Sequence, residues 1–255
     1  MGSREKVLRE RRWEQMLELL RANGSIAVDD LATRFGVSSM TIRRDLLELS
    51  SQGQLERVHG GALPPGGVRY VSADDRATQH IDRKRMIAAA AEQLISAEAT
   101  VFLAGGTTVA EVAKLLVGRK LTVVTDSRLV IDALGSDEST ELHVLGGRYR
   151  PETRTFVGPV TLEQMTLFRV EWAFLGASAV AGGDFFHYYP EDIPLQRAVI
   201  GIAAHAWLLV DASKLGAPAV GRVGSVDSLE GIITDASTPD REQVLGDSSV
   251  DLIVA

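Results

Sequence analysis

The sequence predicts a mixed α/β chain in two unlike parts. An N-terminal winged helix-turn-helix spans residues 1–63. After a linker at 64–73, a mostly parallel, Rossmann-like α/β domain fills 74–255. Three observations predict this. Helical apolar spacing fills most of the first 53 residues, interrupted at Asn23-Gly24 and at Gly36. Gly60-Gly61 and Pro64-Pro65-Gly66-Gly67 then punctuate the chain. From Val101 onward, short apolar runs alternate with helical stretches, the pattern of a parallel sheet covered on both faces.

The first helix is predicted over Ser3 to Ala22, with Val7, Leu8, Trp13, Met16, Leu17 and Leu20 as its apolar contacts; Asn23-Gly24 ends it. A short amphipathic helix follows at Ala27 to Phe35. Gly36 stands where that helix must stop, because glycine tolerates a positive φ without a steric penalty. Ser38 can cap the next helix through its hydroxyl. In that helix Ile42, Leu46 and Leu49 fall at i, i+4 and i+7 on one stripe, and Arg44 projects nearly opposite, flanked by Arg43 and Thr41. A helix that buries one side and presents two guanidinium groups on the other suits a DNA major groove. After Gly53, alternation through Leu55, Arg57 and His59, ended by Gly-Gly, reads as a β-hairpin or wing. The candidate DNA contacts are therefore Ser38, Ser39, Thr41, Arg43, Arg44, Arg57 and His59. His59 fits a DNA contact and a structural hydrogen bond equally well.

The composition bounds the rest. Of 255 residues, 45% are hydrophobic and 24% charged, and there is no cysteine, which excludes disulfides, zinc thiolates and a cysteine nucleophile. No spacing of metal ligands stands out, and neither metal nor cofactor is expected. No apolar run approaches membrane-spanning length, so a cytoplasmic protein without a membrane partner is the expectation. The net charge of −7 is uneven. Residues 1–62 hold 10 Lys+Arg against 9 Asp+Glu, a net of +1; the other 17 Lys+Arg and 25 Asp+Glu leave −8. A nearly neutral DNA module attracts phosphates weakly, which favours a dimer or tetramer that engages duplex DNA through several modules.

In the second part a helix is expected at Asp82 to Ser96. Strands are expected at Val101 to Ala104, Leu121 to Thr125, Leu142 to Leu145, Trp172 to Leu175, Trp207 to Val210, Ile232-Ile233 and Leu252 to Val254. Helices are expected from Thr107 to Leu116, from Arg128 to Leu134 and from Glu191 to His205. Ligands of such sheets gather at the carboxyl ends of the strands. Four polar turns lie there: Gly105-Gly106-Thr107-Thr108, Thr125-Asp126-Ser127, Gly146-Gly147-Arg148 and Asp211-Ala212-Ser213-Lys214. The first opens a helix, so its N–H groups, hydroxyls and helix dipole can cradle an anion, although an ordinary strand-to-helix turn reads the same way. Lys214 would add a point charge to a phosphate and Asp126 could accept sugar hydroxyls. The loop His187-Tyr188-Tyr189-Pro190 either lines the pocket or packs at the surface. Lys214 and Asp211, with Glu191 and His187, also raise the alternative of isomerase or aldol chemistry. The candidate ligand residues are Gly105, Gly106, Thr107, Thr108, Thr125, Asp126, Ser127, Gly147, Arg148, His187, Glu191 and Lys214.

These residues resemble the DeoR family of bacterial transcriptional regulators over nearly the whole chain. The most specific matches are Val37-Ser38, Thr41 to Leu46, Gly53 and Arg57 to Ala62. Further matches are Gly106-Thr107-Thr108, Gly146-Gly147, Val157-Gly158, Ala173 to Gly176 and Asp211 to Gly216. The resemblance implies an effector domain related to ribose-5-phosphate isomerase that senses a phosphorylated sugar, usually without catalysis, in a repressor of sugar uptake or catabolism. The alternative from another class is a sugar-phosphate isomerase-like enzyme with an accessory DNA module. Four departures lie in or near the expected pocket: Ala104 for the common Asp, Asp126 for Asn, Gln196 for Lys, and Asp184 to Pro190 in place of a Gly-Leu-Thr-like pattern.

Overall fold

A computed structural model of the chain describes residues 2–23, 26–58, 61–63, 65, 72–217, 221–235 and 244–255. Helix α1 (Gly2–Asn23) precedes strand β1 (Ile26–Ala27), helix α2 (Val28–Phe35) and helix α3 (Ser39–Ser51). Strands β2 (Glu56–Val58) and β3 (Gly61–Leu63) pair antiparallel, and β3 also pairs with β1. The expected wing is therefore present, and it gains a third strand from the start of the predicted second helix. Met16, Leu20, Leu31, Ile42, Leu46, Leu49 and Leu55 form one buried cluster. The stripe read from α3 is its centre, with Ile42 and Leu49 fully buried.

Beyond residue 72 come α4 (Ala73–Thr78), α5 (Ile81–Leu94), β4 (Thr100–Leu103), α6 (Thr107–Leu115), β5 (Leu121–Thr125), α7 (Arg128–Leu134) and β6 (Thr140–Val144). A hairpin of β7 (Arg148–Arg150) and β8 (Thr155–Val157) leads to α8 (Pro159–Met165) and β9 (Val170–Gly176). Then follow β10 (Ala179–Ala181), β11 (Asp184–His187), α9 (Ile193–Ile202), β12 (Ala203–Leu209), β13 (Gly221–Ser225), β14 (Gly231–Thr234) and β15 (Asp251–Val254). Seven of these strands make one sheet, ordered β15-β14-β12-β9-β4-β5-β6, with every pair parallel. Alternate residues of each strand face opposite cores. Phe102, Leu175 and Leu208 pack on one side with α9; Val101, Leu103, Phe174 and Leu209 pack on the other with α5, α6 and α7. Burial on both faces explains why these strands read as continuous apolar runs.

The predicted helix from Glu191 to His205 needs correction at both ends. Pro190–Asp192 is a short 3-10 turn, and α9 stops at Ile202. Ala203 to His205 are drawn into β12, whose pairing with β9 begins at Ala203 opposite Val170. The hairpin β7-β8, helices α4 and α8, and an antiparallel sheet of β10, β11 and β13 were not foreseen. Their short polar-rich runs carry too little periodicity to announce them.

Candidate functional site

In the N-terminal part the candidate surface is one face of α3. Ser38 is its N-cap: the Thr41 N–H donates to Ser38 Oγ at 3.2 Å, and the two hydroxyls lie 2.9 Å apart. Arg43 and Arg44 are exposed, and neither forms an ion pair among the described residues. Ser39 and Thr41 are half-buried at the start of the helix, and Arg57 is exposed on β2. His59 lies outside the described residues. Met40, 71% exposed, shares the face of Arg43, Arg44 and Leu47, and was missed because an apolar residue carries no obvious binding signal. Asp45 points the opposite way. It is buried, and the Nε of Arg12 on α1 donates to its Oδ2 at 2.6 Å, which ties α3 to the helix that supports it.

In the C-terminal part a cavity opens at the carboxyl ends of β4, β5, β9 and β12, where the strand order reverses direction around β4. Its walls include Gly105 to Thr108, Asp126, Gly176 to Ser178, His187 to Tyr189 and Lys214. Two glycines shape the first turn. Gly106 sits at φ 151°, and a Cβ at Gly105 would meet Thr155 Cγ2 at 2.1 Å, so only glycine lets the hairpin β7-β8 close on this turn. Helix α6 starts immediately after, with Thr107 and Thr108 on the cavity wall.

Cations converge on the same end. Arg76 from α4, His80 at the start of α5, Lys84 and Lys214 all line the cavity. Lys84 is only 4% exposed and donates its Nζ to the Arg76 carbonyl. Burial lowers its pKa to about 8, against the pull of nearby Asp211 and with the push of Arg76 and Lys214. Burial also lowers the pKa of Lys214, which Asp211 counteracts. Lys84 was missed although a signal existed. It occupies the apolar stripe of α5 with Ile87, Ala88 and Ala91, where an unneeded lysine would be costly.

The wall beside the Gly105 turn carries acceptors. Asp126 is buried, and its Oδ1 accepts the Gly105 N–H at 2.9 Å. Burial and the neighbouring Asp192 push its carboxyl up to about 7. The Gln196 amide nitrogen lies 3.1 Å from the Gly176 carbonyl and 2.7 Å from His187 Nε2, so it donates to both. That assignment makes His187 Nε2 an acceptor, although it also lies 2.9 Å from the same carbonyl. Burial lowers the pKa of His187, which favours the neutral ring this arrangement needs.

Five predicted residues are not brought to the cavity wall. Thr125 and Ser127 are fully buried beneath it: Thr125 Oγ1 donates to the Leu103 carbonyl at 2.6 Å and accepts the Ser127 N–H at 3.0 Å, shaping the turn that presents Asp126. Gly147 packs against Thr161 and Val157. Arg148 is exposed and pairs with Glu191, which also meets Arg150. Buried Arg150 forks onto Asp192 at 2.9 and 3.1 Å and stacks on Tyr189 at 4.2 Å, closing the rim of the cavity.

Comparison with known proteins places both regions. A DeoR-like helix-turn-helix domain matches residues 12–65, and a DeoR C-terminal sensor domain matches residues 79–236. The glycerol-3-phosphate regulon repressor of Escherichia coli K12 is 33% identical over 241 residues, covering 93% of this chain and 95% of its own. The lactose phosphotransferase system repressor of Streptococcus mutans is 32% identical over 244 residues, covering 93% and 96%. A solved ribose 5-phosphate isomerase A from Methanocaldococcus jannaschii aligns with 53% of this chain and 55% of its own at 19% identity and a TM-score of 0.39. No helix among the described residues is long and apolar enough to cross a membrane.

Proposed function

The chain belongs to the DeoR family of transcriptional repressors, and from that premise we propose that it holds operator DNA through α3 and releases it when a phosphorylated sugar or related metabolite occupies the cavity. The observation that carries the ligand half is the meeting of an open helix N-terminus with two half-to-fully buried lysines, Lys84 and Lys214, at one end of the cavity. N–H groups, the helix dipole and ammonium groups together suit a phosphate dianion. The DNA half rests on the capped α3 with Ser38, Ser39, Thr41, Arg43 and Arg44 at its open face and Arg57 on the wing. Arginine pairs bidentately with guanine, and Met40 suits a thymine methyl.

Within this reading Gly106 to Thr108, Lys84 and Lys214 bind the phosphate, Gly105 shapes the turn by giving its N–H to Asp126, and Asp126 and His187 face the rest of the ligand. Thr125, Ser127, Gly147, Arg148 and Glu191 support the walls and do not touch it. The cavity senses its ligand without turning it over. The nearly neutral DNA module works as part of a homo-oligomer, since several copies must share the phosphate contacts.

The test is an operator titration. Sites are first selected from random duplex DNA, and the winner is titrated with and without a panel of sugar phosphates. A ligand that binds one arrangement better weakens DNA binding by about 5–150-fold, and the DNA weakens ligand binding by the same factor. Arg43→Ala and Arg44→Ala each cost about 1–3 kcal/mol on the selected site and relax one base position. Turnover of a sugar phosphate with no effect on DNA affinity would instead favour an enzyme with an accessory DNA module.

A further inference from the structure

The walls of the cavity differ in charge: lysines gather on one, while Asp126, beside the Gly105 turn, faces the space without a cation of its own. Among the described residues Asp126 forms no ion pair, and its Oδ1 accepts the Gly105 N–H. Arg150, whose charge acts on it, is committed to Asp192 and Glu191. Asparagine could accept the Gly105 N–H equally well through its Oδ1, so the turn does not require the negative charge. An isolated buried carboxylate is costly unless a cation reaches it.

A second, independent observation points to the same wall. Gln196 is 5% exposed and lines the cavity, and its Oε1 is buried without a hydrogen-bond partner. Turning the amide over would set Oε1 2.7 Å from His187 Nε2 but 3.1 Å from the Gly176 carbonyl, oxygen to oxygen, so the orphan acceptor goes with the neutral ring whose Nε2 accepts. Buried acceptors in native proteins are nearly always satisfied; this one belongs to a residue of the cavity wall but is itself closed off from the cavity.

We propose that the ligand of this cavity is a phosphorylated amine, an amino-sugar phosphate or a compound of the same zwitterionic chemistry, whose ammonium is held by Asp126. The proposal rests on the phosphate reading given above and adds the chemistry of the wall at Asp126. A neutral sugar hydroxyl would fill the hydrogen-bonding role at Asp126 but leave its charge buried and uncompensated. An ammonium supplies both. Burial and Asp192 raise the pKa of Asp126 against the pull of the Gly105 N–H and of Arg150.

Calorimetry on the full chain separates the possibilities. The probes are two matched pairs, glucosamine 6-phosphate against glucose 6-phosphate and O-phosphoethanolamine against glycerol 3-phosphate, with N-acetylglucosamine 6-phosphate and inorganic phosphate alongside. In at least one pair the amine binds more tightly by about tenfold, as expected for a buried charge-assisted contact, and acetylation removes the gain. Asp126→Asn keeps the Gly105 contact and brings that pair within about threefold. Equal affinities in both pairs, or a preference that survives Asp126→Asn, would overturn the proposal while the phosphate site stands. Failure of every probe, inorganic phosphate included, would remove the phosphate reading and this inference with it.

Discussion

The DNA module and the ligand cavity are built in opposite ways. The surface of α3 comes from one unbroken stretch of 13 residues with its cap, and Met40, Arg43, Arg44 and Leu47 share its exposed face at spacings of three and four. The cavity draws on α4, α5, four strand ends and the loop before α9. Each region nonetheless contains one buried Arg–Asp pair that joins distant parts of the chain: Arg12 with Asp45 in the module and Arg150 with Asp192 in the sensor. The difference teaches where information is stored. A local site tolerates damage to its neighbours if the helix survives, whereas an assembled site depends on the contacts that hold its segments together.

The largest expected effect tests that dependence. Arg150 is 5% exposed and neutralises both Asp192 and Glu191. Arg150→Met leaves these carboxylates side by side at the cavity rim, and should cost about 3–5 kcal/mol of sensor stability. Hydrogen exchange read segment by segment should show lost protection in β7-β8 and the start of α9, with α3 unchanged. Uniform loss across both regions would erase the contrast. A smaller effect is expected from Arg12→Met. The pair it breaks is single, and Arg12 keeps some solvent contact at 17% exposure. Burying Asp45 unpaired should cost about 2–3 kcal/mol, confined to α1 and α3. Affinity for a sugar phosphate should not change.

The same contrast decides what could be read from the residues alone. Ile42, Leu46 and Leu49 announced the buried side of α3, and Ser38 its start, because helix period and capping act within a few residues. The parallel sheet was legible from its apolar runs, as was the Gly105 to Thr108 turn at the end of β4. Lys84 is not legible as part of the site, and Gln196 is placed in or near the pocket only through the family resemblance. Their meaning depends on which segments fold against them, and nothing within a few residues states that Gln196 will meet Gly176 and His187. Arg148 enters the candidate set with the Gly146-Gly147-Arg148 turn and Glu191 as a carboxylate set beside Lys214; in the structure the two pair with each other. Gly147 followed a strand like the binding turns, but its neighbour is Thr161.

The smallest effect sharpens the local side of the comparison. Ser38 has φ −69° and ψ 150°, the extended conformation of an N-cap, and its Oγ accepts the Thr41 N–H. No acidic residue lies in the first turn of α3, so the hydroxyl is the main side-chain answer to the exposed N–H groups there. Ser38→Ala should cost about 1 kcal/mol of module stability. Ser38→Asp offers a carboxylate to the same N–H and should recover that loss. The two variants part on DNA. If Ser38 only caps the helix, Ser38→Asp restores stability yet lowers operator affinity, because a carboxylate at the groove repels phosphate. Ser38→Ala, by contrast, leaves the affinity of the folded module nearly intact. A loss of operator affinity in Ser38→Ala that exceeds its loss of stability would mean that the hydroxyl touches DNA as well, and that the cap and the reading surface share a residue.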